Sequence, residues 1–181
     1  MKANYYNICL RVTIAEILEF YTVESISILN SIDVISDTAT VIIPRRFIQT
    51  LENPKNGEKK NLIEFIKIGD KIKIEAGYDN ELNTEFEGYI TEITDETPII
   101  LKCMDEMYKL KKMEKINKLF PHAELKKVLE FIAPNYKIET PKEYSFGKFA
   151  IENATPYEVL QQLRTNYMIR SYFKDGILHA G

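Results

Sequence analysis

The sequence predicts an α+β protein: an N-terminal antiparallel β-barrel (a tube-like domain) in residues 1–112, followed in residues 113–181 by a small α+β domain of two helices on a short sheet. Three observations lead to this fold class. Charged and apolar residues alternate along Gly69–Ile93, as in a sheet with one wet face. Glycines stand inside long predicted strands, where a sheet bends or closes. In the last third of the chain the apolar spacing changes to that of helices.

Three strands are predicted before the first long loop. The segments 5–14 and 17–30 are rich in β-branched and aromatic residues, so each is predicted to be a long strand. A third strand covers Thr38–Pro44 and ends at a proline, which cannot donate a hydrogen bond to a sheet. The charged segment 45–61 contains Asn-Pro and Asn-Gly dipeptides, which predict a long loop with one helical turn at Arg45–Leu51.

The stretch Gly69–Ile93 is predicted to be a hairpin in the barrel wall. Apolar and charged residues alternate from Lys71 to Ala76, which directs the apolar side chains to one face. The segment Gly77–Asn83 is predicted to hold the turn. On the return strand the last apolar residue is one step out of phase, and a β-bulge near Gly88–Thr91 would restore the phase and bend the strand.

A short strand and a short helix are predicted after the hairpin, in IILKCMD and in Asp105–Lys112. The run AELKKVLEFIAP then spaces Leu125, Val128, Leu129 and Ile132 as one face of a helix that stops before a proline.

The end of the chain is predicted to contain a second helix and four short strands. Thr155 is a predicted N-cap, Pro156 the first helical residue, and Glu158 the partner that completes a capping box. Strands are predicted in NYKIE and GKFAIEN, and a final hairpin around Asp175-Gly176.

The amino-acid composition and net charge limit the classes of function that the chain can have. The chain has 181 residues, 45% of them hydrophobic, which is enough for a packed core. Its net charge of −3 and pI near 5.6 disfavour a surface built to hold nucleic-acid phosphates. The sequence nonetheless contains a local cluster of lysines. Such a run of charges most often forms a solvent-exposed face. The members of the cluster are Lys109, Lys111, Lys112, Lys115 and Lys118.

Cys9 and Cys103 lie far apart and lack CxxC spacing, so the sequence predicts buried free thiols rather than a zinc site or a disulfide. No signal-peptide pattern opens the sequence, and no apolar run reaches the length of a membrane span. We therefore expect folding in a cytoplasm and no membrane partner.

Few residues are candidates for catalysis, so no enzyme activity, catalytic residue, cofactor or metal is predicted. His122 and His179 would form a site only if the first helix of the second domain, residues 113–181, packed against the last strand of the chain. Asp79–Glu81 resembles part of a calcium loop but lacks its glycine and final glutamate, and a turn is the better interpretation. Glu85 and Glu87 lie about 7 Å apart on one strand, a spacing suited to glycoside hydrolysis, although exposed strands carry such pairs routinely.

Aromatic residues are frequent in the first half of the chain, as in a platform that stacks single-stranded nucleic acid. Such a platform needs basic neighbours, and only Arg45 and Arg46 beside Phe47 supply them, so packing is the favoured interpretation. The aromatic residues are Tyr5, Tyr6, Phe20, Tyr21, Phe47 and Tyr78.

A series of short motifs occurs in a fixed order: a strand ending in proline, a strand opened by Gly-Asp, a Gly-Tyr turn, a return strand F-x-G-x-I and a strand L-x-C-x-D. The residues are Pro44, Gly69, Asp70, Gly77, Tyr78, Phe86, Gly88, Ile90, Leu101, Cys103 and Asp105. This order resembles the first tube domain of phage baseplate hub proteins of the late control protein D type, which is similar to the hub half of type VI secretion spikes. The segment 147–181 resembles the insert that follows that barrel.

The resemblance implies a structural phage or prophage tail protein, a baseplate hub-like homotrimer whose barrels join the tail tube to the spike. DNA would pass through its lumen without specific binding. The protein would be assembled in the bacterial host cytoplasm and reside in the virion tail. Family hubs usually continue into a second barrel, so this sequence corresponds to an N-terminal piece or to a shortened relative. The polar hairpin face is expected to line the lumen, through Lys73, Glu75, Glu85, Glu87 and Thr91.

Two alternatives stay open at this point. An OB-like nucleic-acid-binding barrel would use the lysine cluster and Phe47 as its groove. A carbohydrate-active enzyme of a phage tail would use Glu85 and Glu87.

Overall fold

The structure is a computed structural model that describes residues 7–44, 50–52, 59–94 and 98–181, with the backbone alone for 50–52 and 59–63. Residues 1–29 and 38–105 form the first of two units, and residues 30–37 and 106–181 form the second. The division into two domains between residues 112 and 113 stays a prediction.

The first unit is built on one antiparallel sheet of seven strands, in the order β2-β1-β7-β8-β9-β4-β3. A separate pair of short strands, β5 and β6, and one helical turn, α1, precede β7. The elements are β1 (Ile8–Ile14), β2 (Leu18–Phe20), β3 (Ser25–Leu29), β4 (Thr38–Ile43), β5 (Thr50–Glu52), β6 (Lys59–Asn61), α1 (Leu62–Phe65), β7 (Lys71–Tyr78), β8 (Glu81–Thr94) and β9 (Ile99–Met104).

The predicted closed barrel is wrong for the described residues, although the α+β class is confirmed. Strands β2 and β3 stand at the two ends of the strand order, and no pairing between them is found in the described part of the chain. The reason is that the predicted strand 17–30 is two strands. Phe20 pairs with Val12 of β1, whereas the backbone N–H of Glu24 already donates to the carbonyl of Ile42 in β4, at 2.8 Å.

The sheet is nonetheless strongly curled. Residues 21–24 alone connect β2 to β3, and an extended chain of that length reaches about 18 Å from Phe20 to Ser25. The edges of a flat seven-stranded sheet would stand about 29 Å apart. The connection is therefore possible only because the sheet bends its two edges toward each other.

Two β-bulges assist this bend. The predicted bulge near Gly88–Thr91 is confirmed: Thr91 is the extra residue between the pairs Ile90 with Cys103 and Glu92 with Lys102. A second bulge, which the sequence did not predict, leaves Glu85 unpaired opposite β7. Bulges bend and twist the strand that carries them.

The predicted turn of the hairpin is confirmed and is tighter than expected. Asp79 and Asn80 are its two central residues, with φ of +53° and +70°, which is the left-handed conformation of a type I′ turn. The Asp79–Glu81 segment is thus a turn, as the sequence favoured. Gly77 is required beside it, because a Cβ there would lie 1.8 Å from the carbonyl oxygen of Glu81.

Other predictions for the first unit have mixed outcomes. The strand that ends before Pro44 is confirmed as β4. Residues 45–49, and with them Arg45, Arg46 and Phe47, lie outside the described residues, as do Tyr5 and Tyr6. The predicted helical turn at Arg45–Leu51 is wrong at its described end, where residues 50–52 form a strand that pairs with β6.

The core of the first unit lies on one face of the curled sheet. Every strand of the sheet except β3 contributes fully buried or nearly buried apolar side chains, and Ile26 and Ile28 of β3 pack against them. The core residues are Val12, Ile14, Phe20, Ala39, Val41, Ile43, Ile66, Ile72, Ile74, Phe86, Ile90, Ile99, Leu101 and Cys103.

Residues 113–181 contain two helices, as predicted, but three small sheets where one short sheet was predicted. The short helix predicted in Asp105–Lys112 is also present, and it belongs to the second unit. The sheets pair β10 with β14, β11 with β13, and β12 with β16 and β15, the β12–β16 pairing being parallel. The elements are α2 (Met107–Lys112), β10 (Ile116–Phe120), β11 (Ala123–Glu124), α3 (Leu125–Ile132), β12 (Lys137–Glu139), β13 (Ser145–Phe146), β14 (Phe149–Ala154), α4 (Pro156–Tyr167), β15 (Ser171–Lys174) and β16 (Ile177–Ala180).

Local signals placed these helices correctly. The four apolar residues predicted for α3 are all buried. The capping box of α4 is present: Thr155 Oγ1 accepts from the backbone N–H of Glu158 at 3.3 Å, and the Glu158 carboxylate accepts from the backbone N–H of Thr155 at 2.7 Å. Asp175 and Gly176 form the final turn, both with positive φ. Each helix of the described part is too short or too polar to span a bilayer.

Candidate functional site

The polar face of the first unit's sheet is the candidate site. In β7, buried Ile72 and Ile74 face the core, so the intervening Lys73 and its neighbours at every second position face the other way. The same alternation places Arg11 and Thr13 of β1 on this polar face. In β8 and β9 the corresponding positions include Glu87 and Lys102.

Glu75 is the most deeply placed charge on the polar face. Its carboxylate accepts from Arg11 Nε at 2.7 Å and from Lys73 Nζ at 2.8 Å, and the residue is only 6% exposed. The hydrogen bond from Arg11, and then that from Lys73, lowers the pKa of Glu75 to about 2. Glu75 is therefore ionised at any physiological pH and ties β1 to β7.

A second ion pair joins β7 to β8. Lys71 Nζ lies 2.5 Å from Glu87 Oε1, and this hydrogen bond raises the pKa of Lys71. Glu87 is also the register partner of Lys73. A small cavity of about 80 Å³ lies between these strands, lined by Thr13, Glu16, Lys71, Lys73 and Glu87.

A third ion pair joins β8 to β9 at the predicted bulge. Lys102 Nζ lies 2.9 Å from Glu92 Oε1, and the hydroxyl of Thr91 donates to the Lys102 carbonyl at 3.0 Å. Thr91 thus satisfies a backbone acceptor at the point where the bulge interrupts the ladder.

The structure brings three of the five predicted lumen residues together, since Lys73 forms an ion pair with Glu75 and is the register partner of Glu87 on β8. Glu85 is exposed at the second bulge, and Thr91 lies by Lys102 at the first. That these residues face a lumen stays a prediction.

Sequence reasoning placed Lys71 on the polar face but did not predict its acid partner. It missed Arg11, Lys102 and the acid Glu92 on this face. The two-residue alternation places Lys71 and Lys102 on the same face, but which acid each one meets depends on strand order and register.

The residues of the carbohydrate-enzyme alternative do not form a shared site. Glu87 is neutralised by Lys71, and the cavity beside it is not lined by Glu85. Glu85 and Glu87 are therefore not arranged as the acid and base pair that glycoside hydrolysis requires.

The two histidines are also separated by their surroundings. His179 stacks on Tyr172 at 5.1 Å between ring centroids, and its Nδ1 lies 3.7 Å from Glu139 Oε2. It borders an open cavity of about 540 Å³ whose lining does not include the exposed His122. Across the described residues, no group of three or more His, Cys, Asp and Glu side chains is arranged to hold a metal ion.

The lysine cluster lies in the second unit, whereas Phe47, the other part of the predicted OB-like groove, lies outside the described residues. Three of its members lie over aromatic rings, with Nζ to centroid distances of 5.5 to 5.7 Å. These pairs are Lys111 with Tyr157, Lys112 with Tyr108 and Lys118 with Phe131. In these cation–π contacts the three ammonium groups interact with aromatic rings of the same chain.

The two cysteines differ. Cys103 is buried in the core, as predicted, and its burial raises the pKa of its thiol to about 12. Cys9 is only half-buried, with its Sγ 3.5 Å from Asn80 Oδ1 near the hairpin turn. Both are free thiols.

Neither a protein-family model nor a curated protein matches the sequence. Solved structures do match. The 43 kDa tail protein of prophage MuSo2 from Shewanella oneidensis has a TM-score of 0.66 at 18% identity, over 96% of this chain and 53% of its own. A tail protein from Neisseria meningitidis MC58 has a TM-score of 0.64 at 14% identity, over 97% of this chain and 51% of its own.

A chain of the Francisella PdpA–VgrG complex, in its half-lidded state, is also similar, with a TM-score of 0.57 at 13% identity over 97% of this chain and 31% of that chain. The present chain thus spans about half the length of the two tail proteins and a smaller part of the matched chain of the complex. The resemblance to phage tail and spike hub proteins is confirmed at the level of the fold.

Proposed function

We propose that this chain is a structural component of a phage or prophage tail, a baseplate hub-like assembly protein that joins the tail tube to the spike. The observation that carries the proposal is its fold, which matches two tail proteins over at least 96% of the chain. The protein acts as a scaffold rather than as an enzyme. It is assembled in the bacterial host cytoplasm and becomes part of the virion tail.

Its working form is a homotrimer, in which curled sheets stand side by side around a lumen. The open strand order supports this arrangement, because β2 and β3 each leave one edge without a partner strand among the described residues. Strand β3 has the sequence SISIL, which carries no charge to discourage pairing. Such an edge is a template for a strand of another chain.

The polar face lines the lumen in this proposal, through Lys73, Glu75, Glu85, Glu87 and Thr91. The sheet buries apolar side chains on one face and exposes charged ones on the other, as a wall between a core and an aqueous channel requires. DNA is the polymer that crosses this lumen, without specific binding. The tube and spike proteins contact the two rims of the ring.

Sedimentation equilibrium of the full-length natural protein tests the assembly. We expect a trimer, and we expect Ser25→Lys with Ser27→Lys to give monomers, because these exposed positions put two charges on the free edge of β3. The matched control is Gln161→Lys with Asn166→Lys, at exposed positions of α4, which should stay trimeric. A wild-type protein that is monomeric at high concentration would refute the proposal.

A further inference from the structure

We infer that the polar face is a charge-masked surface, on which three sets of ion pairs prevent its own cations from holding the phosphates of DNA. The inference rests on the proposed lumen, since it names the polymer that this face must not retain. The masking itself is a property of the isolated chain and can be measured without assembly.

The masked cations are four. Arg11 and Lys73 share the carboxylate of Glu75, at 2.7 and 2.8 Å. The other two are Lys71, 2.5 Å from Glu87, and Lys102, 2.9 Å from Glu92. These cations belong to β1, β7 and β9, which are three of the five inner strands of the sheet, so together they would otherwise form a basic stripe across it.

Glu75, the acid that masks two of these cations, is held firmly in place. The Glu75 side chain is only 8% exposed and receives hydrogen bonds from two cations on two strands. Its low pKa keeps it charged at the pH of a cell. A phosphate that approached Arg11 or Lys73 would have to displace this carboxylate or add a second negative charge beside it, and both are unfavourable.

Removing the masking acids should therefore create DNA affinity. Protein affinity for DNA comes largely from the number of phosphates neutralised, and its logarithm falls with the logarithm of salt concentration with a slope of about −0.9 per phosphate. Four uncovered cations give a slope of about −3.6, which is a loss of about 150-fold in affinity between 50 and 200 mM salt.

The test is a fluorescence anisotropy titration of a labelled 20-base-pair duplex at 50, 100 and 200 mM NaCl. The variant combines Glu75→Gln, Glu87→Gln and Glu92→Gln, which keep the side-chain shape and remove the negative charge. We expect no binding by the wild type at 50 mM salt, and binding by the variant with the steep salt dependence given above.

The control changes the net charge by the same amount without uncovering a cation. It combines Glu24→Gln, Glu81→Gln and Glu85→Gln, three exposed acids that form no ion pair with any residue that the structure describes. We expect the control to bind no DNA at 50 mM salt. Equal binding by control and variant would overturn the inference, because net charge rather than masking would then set the affinity.

A second variant covers the event that the loss of Glu75 unfolds the sheet. Glu87→Gln with Glu92→Gln alters only acids that are about half-exposed and uncovers two cations, so the salt slope should be about −1.8. A folded variant that binds no DNA at 50 mM salt, or a wild type that binds as tightly as the variants, would refute the masking while leaving the trimer test untouched.

Discussion

Replacing Gly88 by alanine tests whether the packing of β8 against β9 requires a residue without a side chain. Gly88 is buried on the core face of β8, next to the predicted and confirmed bulge. A Cβ at this position would lie 2.3 Å from the carbonyl oxygen of Met104 and 2.8 Å from Cζ of Phe86. Ordinary contacts of these atoms begin near 3.4 Å, so strand β9 would have to move by about an ångström.

The magnitude follows from two opposing terms. Overpacking of a well-packed core costs about 1–3 kcal/mol, and the upper end applies because the nearest atom belongs to the backbone of a paired strand rather than to a flexible side chain. Alanine also restricts the unfolded chain, which returns about 0.4–1 kcal/mol. Gly88→Ala should therefore lower the free energy of unfolding by about 2 kcal/mol, or Tm by about 4–8 °C for a chain of this size.

Urea denaturation followed by far-ultraviolet circular dichroism measures the difference, and Gly147→Ala is the matched control. Nothing lies within 4 Å of a Cβ at Gly147, so the control should change stability by less than about 0.5 kcal/mol or raise it slightly. If Gly88→Ala were as stable as Gly147→Ala, the close approach of β9 to Gly88 would be wrong.

Three other measurements follow from named contacts. Thr155→Ala removes the N-cap of α4 and should lower the free energy of unfolding by about 1 kcal/mol, whereas Thr155→Ser should keep most of the stability; equal loss in both would contradict the capping box. The pKa of Glu75 is about 2 in the folded chain and near 4.5 unfolded, so its contribution to stability is complete above pH 4.5 and is lost as the pH falls toward 2. The urea midpoint should therefore decline more steeply over that interval in the wild type than in Glu75→Gln, and parallel curves would argue against the ion pair. Ellman's reagent at pH 8 should modify the half-buried Cys9 alone in the native protein and both thiols in denaturant, because burial raises the pKa of Cys103 to about 12; native labelling of both would show that the core opens.

Local structure was predictable because its causes lie within a few residues. The cap at Thr155 and the four apolar residues of α3 depend on contacts within one or two helical turns. The turn at Asp175-Gly176 follows from the left-handed backbone that these residues adopt readily. In the second unit, strand β10 was not predicted. Its sequence INKLF has polar and charged residues at its centre and lacks a clear alternation of apolar and polar residues.

The candidate site was predictable only in part, since strand alternation assigns a residue to a face but not to a partner. Lys73, Glu75 and Glu87 were placed on one face from their spacing alone. The closest partner of Glu75 is Arg11, 64 residues earlier in the sequence, and only the order β1-β7-β8 brings the two together. A long-range pair of this kind leaves no periodic signal in a single sequence.

The prediction of a closed barrel failed because the features that bend a sheet do not by themselves close it into a barrel. Glycines and bulges bend a sheet whether or not its edges meet, so Gly88 and Thr91 predict curvature alone. Closure needs hydrogen bonds between the edge strands, and β2 is only three residues long before the chain turns away and pairs with β4 from Glu24 onward. In the described residues the sequence therefore encodes a curled wall with two edges brought near each other, and any strand that completes the wall must come from another segment or another copy. For this reason the edge of β3, rather than the interior of the sheet, is the place where assembly should be tested first.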